Sequence, residues 1–481
     1  VVKTNFSLPH DFFWSFQMLI RAAFVLFLSI LFISAAPAAE ARKPNIIYIL
    51  ADDLGYTDLG CMGSKYYDTP SIDKLAQQGM KFLHYHNCQN CAPTRAALMS
   101  GQYPPRTGVY TVNTLERGNA AQRKMQVPEN ITKLPLDRKT IADQIKAGGY
   151  ATGMFGKWHL GENGPYHPRQ RGFDEAITSN GKHFNFQTQP AVDHPDDAYL
   201  ADWLTDKAVD FIERHKDRPF FLYLPHFGVH SPYHAKKDLI AKFKEKQGSG
   251  GHDDPVYAAM IKSIDESVGR VMAKLDELKL ADNTVLIFAS DNGGVGGYGE
   301  ISGKGVTSNA PLRGGKGMLY EGGTRVPMIV RWPGHIAPGS LCNEPSIHVD
   351  IYPTFLELAG APTPKPKQPL DGVSLVPLFK DGDAKLKREA IYVHFPGYLE
   401  GYGTGQWRTA PVSTIQMGTW KLMEFLEDGK LELYNLADDV GEKNDLAKSM
   451  PDRAALMQAK LDQWRKEIKA DMPVLKKGQG K

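Results

Sequence analysis

Apolar residues along the chain follow two rhythms. Short unbroken runs, NIIYILA (45–51), YATGMFG (150–156), PFFLYLP (219–225), NTVLIFAS (283–290) and VPMIVRWP (326–333), have the length of strands and little polar face. Strands of a parallel sheet covered on both sides read this way. Between these runs, apolar positions recur at three and four residues in TPSIDKLAQQG (69–79), KTIADQIKAGG (139–149), YLADWLTDKAVDFIERH (199–215) and YAAMIKSIDESVGRVMAKLDELK (257–279). That spacing gathers apolar side chains on one face of a helix. Strands alternating with amphipathic helices predict an α/β fold: a doubly wound, mostly parallel sheet with helices on both faces.

The rhythm changes towards the C-terminus. GAPTPKPKQP (360–369) is too rich in proline and lysine for an element interior and predicts an exposed connection. Beyond residue 385, EAIYVHF (389–395), TIQMGTWKLMEFL (414–426) and KLELYNL (430–436) predict antiparallel strands, and DRAALMQAKLDQWRKEIKA (452–470) a closing helix. Residues 42–384 are therefore expected to form a large domain and 385–481 a small α+β domain packed on it. At the other end, Arg21, the apolar run AAFVLFLSILFISAA and the small-residue stretch PAAEA are built like an export signal. Residues 1–41 are read as that signal, cleaved near Ala39 or Ala41, with an over-extended start before Met18. The apolar run is short for a membrane span, so an exported protein, periplasmic or secreted, with no stable membrane insertion is expected.

Composition narrows the function by exclusion. Lys and Arg (57) nearly balance Asp and Glu (54), which removes the electrostatic footprint of a nucleic-acid binder. Four cysteines (Cys61, Cys88, Cys91 and Cys342) are too few for a disulfide scaffold. Cys88 and Cys91 form a Cys-x-x-Cys, but neither a thioredoxin-like setting nor further zinc ligands at regular spacing accompany it.

Two strands end in acidic or amide pairs: Asp52 and Asp53 follow the first, and Asp291 and Asn292 follow that at 283–290. In open α/β sheets ligands bind beyond the carboxyl ends of strands, and if these two strands are neighbours the four side chains converge. Oxygen donors without His or Cys suit a hard divalent cation, Ca²⁺ or Mg²⁺, rather than zinc. In CAPTRAALMSG (91–101), Pro93 suits the first turn of a helix. Cys91 then stands at the positive end of that helix, and Arg95 adds a permanent cation suited to an oxyanion.

CAPTRAALMSG resembles the sulfatase signature, in which the cysteine of Cys-x-Pro-x-Arg is oxidised to Cα-formylglycine. ADDLG, GKWHLG, HSP, SDNGG and GGKGMLYEGGTRVP follow in the family's order. The chain departs from the pattern at Thr94, where serine is usual, and at SGQ (100–102), where the family has Thr-Gly-Arg. The resemblance implies an alkaline-phosphatase-like fold and a sulfuric ester hydrolase. It also implies a formylglycine-generating enzyme as partner during maturation, and Ca²⁺, with Mg²⁺ as the alternative, held by Asp52, Asp53, Asp291, Asn292 and the modified Cys91. Arg95 would hold the modified residue, Lys157 and Lys316 would bind the sulfate, and Asp291 would accept the nucleophile's proton. His159 would take the hydroxyl proton at elimination, and His230 would protonate the leaving alcohol. His226 and His234 flank His230 without the HSP match, and His84, His86 and His183 match no catalytic mark.

An aldehyde suits this chemistry. Its hydrate has two hydroxyls, one to attack sulfur and one to re-form the carbonyl and expel sulfate, which a serine could not do. The motifs do not choose among aryl sulfates, sulfated sugars and sulfolipids; the loops at 162–186, 295–313 and 395–411 are the expected specificity elements, and a sulfated glycan the expected substrate. Two alternatives remain: a formylglycine-dependent phosphonate or phosphate ester hydrolase, and a glycan-binding protein that kept the fold without catalysis. Mass spectrometry of the tryptic peptide FLHYHNCQNCAPTR, from protein exported by a host with the maturation enzyme, is expected to find the lighter aldehyde at Cys91 and an unchanged Cys88. Cysteine alone at 91, beside a converted control sulfatase, would favour the binding protein.

Overall fold

The computed structural model describes residues 1–5, 42–301, 305–364, 368–401 and 406–476. Val1–Arg42 and Lys43–Lys481 are separate units, and the fold below is that of the second. Apart from residues 1–5, the expected export signal lies outside the described residues. Among the described residues no helix is long and apolar enough to cross a membrane.

Nine strands form the central sheet: β1 (Asn45–Ala51), β2 (Met80–Phe82), β3 (Ala151–Phe155), β4 (Glu175–Ser179), β5 (Thr188–Gln189), β6 (Phe220–Pro225), β7 (Thr284–Ser290), β8 (Met328–Arg331) and β9 (Ser340–Cys342). Their order is β9-β2-β8-β7-β1-β6-β3-β4-β5. The middle of the sheet is parallel: β1 pairs with β6 on one side and β7 on the other, and β3 with β6 and β4. Strand β8, expected to run with these, is antiparallel to both β7 and β2. The reason lies in the connection: a parallel return needs a crossover to the opposite end of the sheet. The described residues of 291–327 instead remain at the end where β7 finishes, and β8 must start there.

Alternation along β1 feeds two cores. Ile47 and Ile49 pack with α1 (Pro70–Gln78), α4 (Leu200–Arg214) and α5 (Pro255–Glu277) on one face. Ile46, Tyr48 and Leu50 pack with α2 (Cys91–Ser100), α3 (Ile141–Ala147) and α6 (Ile351–Ala359) on the other. Helix α2 is buried along its whole length because its remaining side, through Ala97, meets a third core. That core belongs to the four-stranded antiparallel sheet of β10 (Ile391–Phe395), β13 (Val412–Met417), β14 (Trp420–Phe425) and β15 (Lys430–Asn435), covered by α7 (Pro451–Glu467). A short hairpin, β11 (Leu399–Glu400) with β12 (Trp407–Thr409), projects between β10 and β13. None of the four cysteines is in a disulfide.

A buried ion cluster ties the antiparallel sheet to the loop before β8. Lys421 on β14 lies 2.8 Å from Glu321 and 2.9 Å from Glu442, His86 reaches Glu321 at 3.1 Å, and Arg325 is 3.8 Å away. Burial pushes the Glu442 carboxyl up to about 7, with Lys421 opposing and Glu321 adding to the rise. Lys421→Met would leave two buried carboxyls without their shared cation. It is expected to lower the unfolding free energy by about 3–5 kcal/mol. The folded variant then holds protons that the unfolded chain releases above the ordinary glutamate range, so the loss grows as pH rises. Denaturant unfolding at pH 5 and pH 8 checks both the size and the sign.

Candidate active site

The register of β1 and β7 sets the site. Ala51 lies opposite Ser290, so the next residues, Asp52 and Asp53 on one strand and Asp291 and Asn292 on the other, emerge side by side at the sheet's carboxyl end. Asp53 turns back with φ 65° and donates its amide to Asp291 Oδ1 at 3.2 Å. Asn292 Nδ2 donates to Asp53 Oδ1 at 2.9 Å. Gly293 lets the chain leave: a Cβ there would lie 1.9 Å from the Gly322 carbonyl oxygen. All four side chains are buried.

Cys91 opens helix α2 beside them, with Asn90 as the residue before the first turn. The Thr94 hydroxyl accepts the Cys88 amide proton at 3.1 Å, so threonine performs a backbone-fixing role here. In the SGQ segment, Ser100 Oγ donates to the Ala96 carbonyl at 2.7 Å and Gln102 Nε2 to the Pro369 carbonyl at 2.9 Å. Cys88 is buried, with Sγ 3.4 Å from His348 Nε2, and burial pushes its thiol well up.

Three cations face the three carboxylates. Arg95 is fully buried and donates twice to Asp291 Oδ2, from Nη2 at 2.8 Å and Nε at 3.1 Å, and once to the Lys157 carbonyl at 2.6 Å. Lys157 Nζ pairs with Asp52 Oδ2, and Lys316 Nζ with Asp53 Oδ2 at 2.6 Å. Burial raises both Asp52 and Asp291. At Asp52 it is overcome by Lys157, then His230, Arg95 and Lys316, which hold the group well below the carboxylate range. Asp291, beside the Asp52 charge, is the carboxyl pushed up, as expected where like charges share a site.

Lys157 and His159 both line one cavity, though not by strand alternation as expected. His159 has φ 62°, so the GKWHLG segment turns instead of extending. Gly156 starts that turn with φ 136°, and a Cβ there would sit 1.9 Å from the Pro225 carbonyl oxygen. Burial, then Lys157 and Arg95, push the His159 imidazole down to about 3. His230 also lines the cavity. Its Nδ1 is 2.5 Å from the Ser231 carbonyl oxygen, which makes Nδ1 the protonated nitrogen of the neutral ring; Nε2 is 3.8 Å from Asp53 Oδ2. His226 is buried against Ser267 Oγ at 2.9 Å, and His234 is exposed; neither lines the cavity.

The cavity has a volume of about 480 Å³ and has Cys91, Lys157, His159, His230 and Lys316 in its lining. Its outer wall is supplied by Glu162 and 179–182, and by Leu399, Glu400 and Arg408 of the hairpin. Among the described residues, 295–313 contributes none of the lining, but the Tyr298 hydroxyl donates to the Lys316 carbonyl at 3.0 Å. Residues 302–304 and 402–405, parts of two expected specificity loops, lie outside the described residues.

The donor set fits a hard divalent cation. Asp52, Cys91 and Asp291 offer ligand atoms within 4.8 Å of one another, as do Asp52, Asp53 and His230. Asp52 Oδ1 and Asn292 Oδ1 are buried oxygens without a hydrogen-bond partner, and such atoms are rare unless something else satisfies them.

A sulfatase family model matches residues 44–361, and one for the C-terminal region of N-sulphoglucosamine sulphohydrolase matches 315–469. The chain belongs to the sulfatase family. As a sulfatase it is a sulfuric ester hydrolase, and its relatives span most of its length. A sulfatase of Formosa agariphila is 35% identical and covers 92% of both chains. An N-acetylgalactosamine-6-O-sulfatase of Bacteroides thetaiotaomicron is 31% identical, covering 86% of this chain and 91% of its own. The solved structure of Ps i-CgsB in complex with k-i-k-neocarrahexaose superposes with a TM-score of 0.74 at 32% identity, over 88% of this sulfatase and 93% of that chain.

Glu162, Lys182, Glu400 and Arg408 of the lining fall within the expected specificity loops at 162–186 and 395–411, whereas sequence reasoning missed Asn90 and Arg117. Asn90 had a signal, standing directly before Cys91; Arg117 is indistinguishable in sequence from a solvated surface charge. For this sulfatase, Ca²⁺ at about 100 times its Kd is expected to add about 2.7 kcal/mol to the unfolding free energy, and Asp52→Asn to remove most of that gain. Calorimetric melting with Ca²⁺, Mg²⁺ or chelator checks it, and the ion giving the larger shift is the resident one.

Proposed function

We propose that this sulfatase removes sulfate from a sulfated carbohydrate outside the cytoplasm, using Cα-formylglycine made from Cys91 and a divalent cation, Ca²⁺ with Mg²⁺ as the alternative. The observation that carries this reading is the convergence of Asp52, Asp53, Asp291 and Cys91, with Asn292 bonded to Asp53, next to a cavity lined by Cys91, Lys157, His159, His230 and Lys316. The export-type N-terminus and the relatives named for N-acetylgalactosamine sulfate support a glycan met after export.

Asp52, Asp53, Asp291 and Asn292, with the modified Cys91, would hold the cation. The cation would supply charge that acidifies the aldehyde hydrate, and the hydrate one hydroxyl to attack sulfur and another through which the carbonyl re-forms as sulfate leaves. Arg95 fixes Asp291, the acceptor of the nucleophile's proton, by two hydrogen bonds on one oxygen. Lys157 and Lys316 offset the sulfate's charge. With Nδ1 donating to the Ser231 carbonyl, His230 gives up a proton from Nε2 to the departing alcohol only as the doubly protonated ring, returning to the neutral Nδ1–H form. His159, kept neutral by burial and the adjacent cations, takes the proton released as the carbonyl re-forms.

Matched aryl sulfate, phosphate and phosphonate esters test the reaction class: the sulfate is expected to turn over fastest, and faster phosphodiester turnover would overturn the reading. His230→Ala is expected to slow glycan desulfation by on the order of 10²–10⁴-fold, while sparing an aryl sulfate whose leaving group needs no proton; the ratio of the two rates is the readout.

A further inference from the structure

The buried charges behind the cavity are balanced. Asp52, Asp53 and Asp291 meet Lys157, Lys316 and Arg95 in pairs, so a bound dication would leave positive charge there to match one sulfate ester. The wall above adds two guanidinium groups and one carboxylate, Glu400, to the lining. Arg117 and Arg408 both line the cavity and stand on adjoining pieces of chain: Gly118 packs against the Trp407 ring, so closely that a Cβ would lie 2.5 Å from it. Glu116 bridges to Tyr398 in the same wall.

Both guanidinium groups are held in place. Arg408 Nη1 donates to the Lys316 carbonyl at 3.2 Å, and its guanidinium lies 4.6 Å from the centre of the Tyr298 ring. Arg117 Nη2 donates to the Val112 carbonyl at 2.5 Å. A fork whose direction is set in advance loses less freedom when an anion binds, and its planar geometry matches sulfate and carboxylate alike. The opposite wall, with Glu162, Asn180 and Lys182, carries charges of both signs.

Resting on the reading that the substrate is a sulfated glycan, we infer that Arg117 and Arg408 form a second anion subsite beside the reacting sulfate. The preferred substrate then carries a further anionic group, a second sulfate or a uronic carboxylate, on the same or the adjoining sugar. The link from Arg408 to the Lys316 carbonyl fixes the spacing between the two anions.

The test measures turnover, with Cys91 conversion verified by mass, on a monosulfated hexosamine, the same sugar with a second sulfate, and the monosulfated sugar joined to a uronic acid. At least one doubly charged substrate is expected to have a kcat/KM on the order of tenfold higher, the effect of one charge-assisted contact. The advantage is expected in KM and to shrink with added salt. Which substrate shows it identifies the second anion as sulfate or carboxylate. Arg408→Gln and Arg117→Gln are expected to bring the preference ratio towards one, whereas a general loss of structure would lower all rates alike and leave the ratio. A wild-type ratio of one, or a ratio unmoved in both variants, overturns the subsite. Calorimetric binding of the three sugars to Cys91→Ala separates the two readings. Tighter binding of a doubly charged sugar by a protein whose converted wild type turns over no sulfate ester supports the subsite and refutes hydrolysis; equal affinities for all three overturn the subsite.

Discussion

Three buried carboxylates within a few ångströms of one another are the constraint the rest of the structure answers. Aligning Ala51 with Ser290 across β1 and β7 puts them there, and burying like charges together is costly unless each is paired. Each cation that pairs them comes from a different part of the chain: Arg95 from a helix, Lys157 from the turn after β3, and Lys316 from the long return before β8. The same requirement explains why the return stays at the sheet's carboxyl end and why β8 runs antiparallel.

Lys316 has the longest tether of the three, and the antiparallel sheet holds its far end. Gly317 donates to the Gln89 carbonyl at 2.8 Å, and the Thr409 hydroxyl donates to the Gly317 carbonyl at 2.6 Å. Five residues beyond Lys316, Glu321 is gripped by Lys421. The C-terminal region thus contributes a cavity wall through Glu400 and Arg408 of the β11–β12 hairpin and, through Lys421 of the four-stranded sheet, fixes the loop that carries Lys316.

Much of this was legible in the sequence because it depends on local signals. Unbroken apolar runs marked the central strands, and the acidic pairs after 45–51 and 283–290 marked where they end. Direction was not legible for Met328–Arg331, since an apolar run reports burial and says nothing of which neighbour the chain will meet. Lys157 and His159 were placed together for the wrong geometric reason, a turn with positive φ being invisible in residue identity when the residue is histidine. Lys421 and Arg117 could not be found at all: a single basic residue reads as solvated, and only the fold supplies the partners. The 295–313 segment, rich in glycine and small polar residues, reads as a binding loop, but its described residues are not among the cavity lining.

Helix α2 is enclosed on every side between two cores, and Cys91 is 1% exposed. An enzyme that modified Cys91 would have to reach a side chain that the finished fold encloses. On the proposed reading, conversion of Cys91 would belong to the interval between synthesis and folding, when the chain is still open. Every molecule's competence would be settled in that brief window, and a chain that closed over an unmodified thiol could not be rescued without being unfolded first.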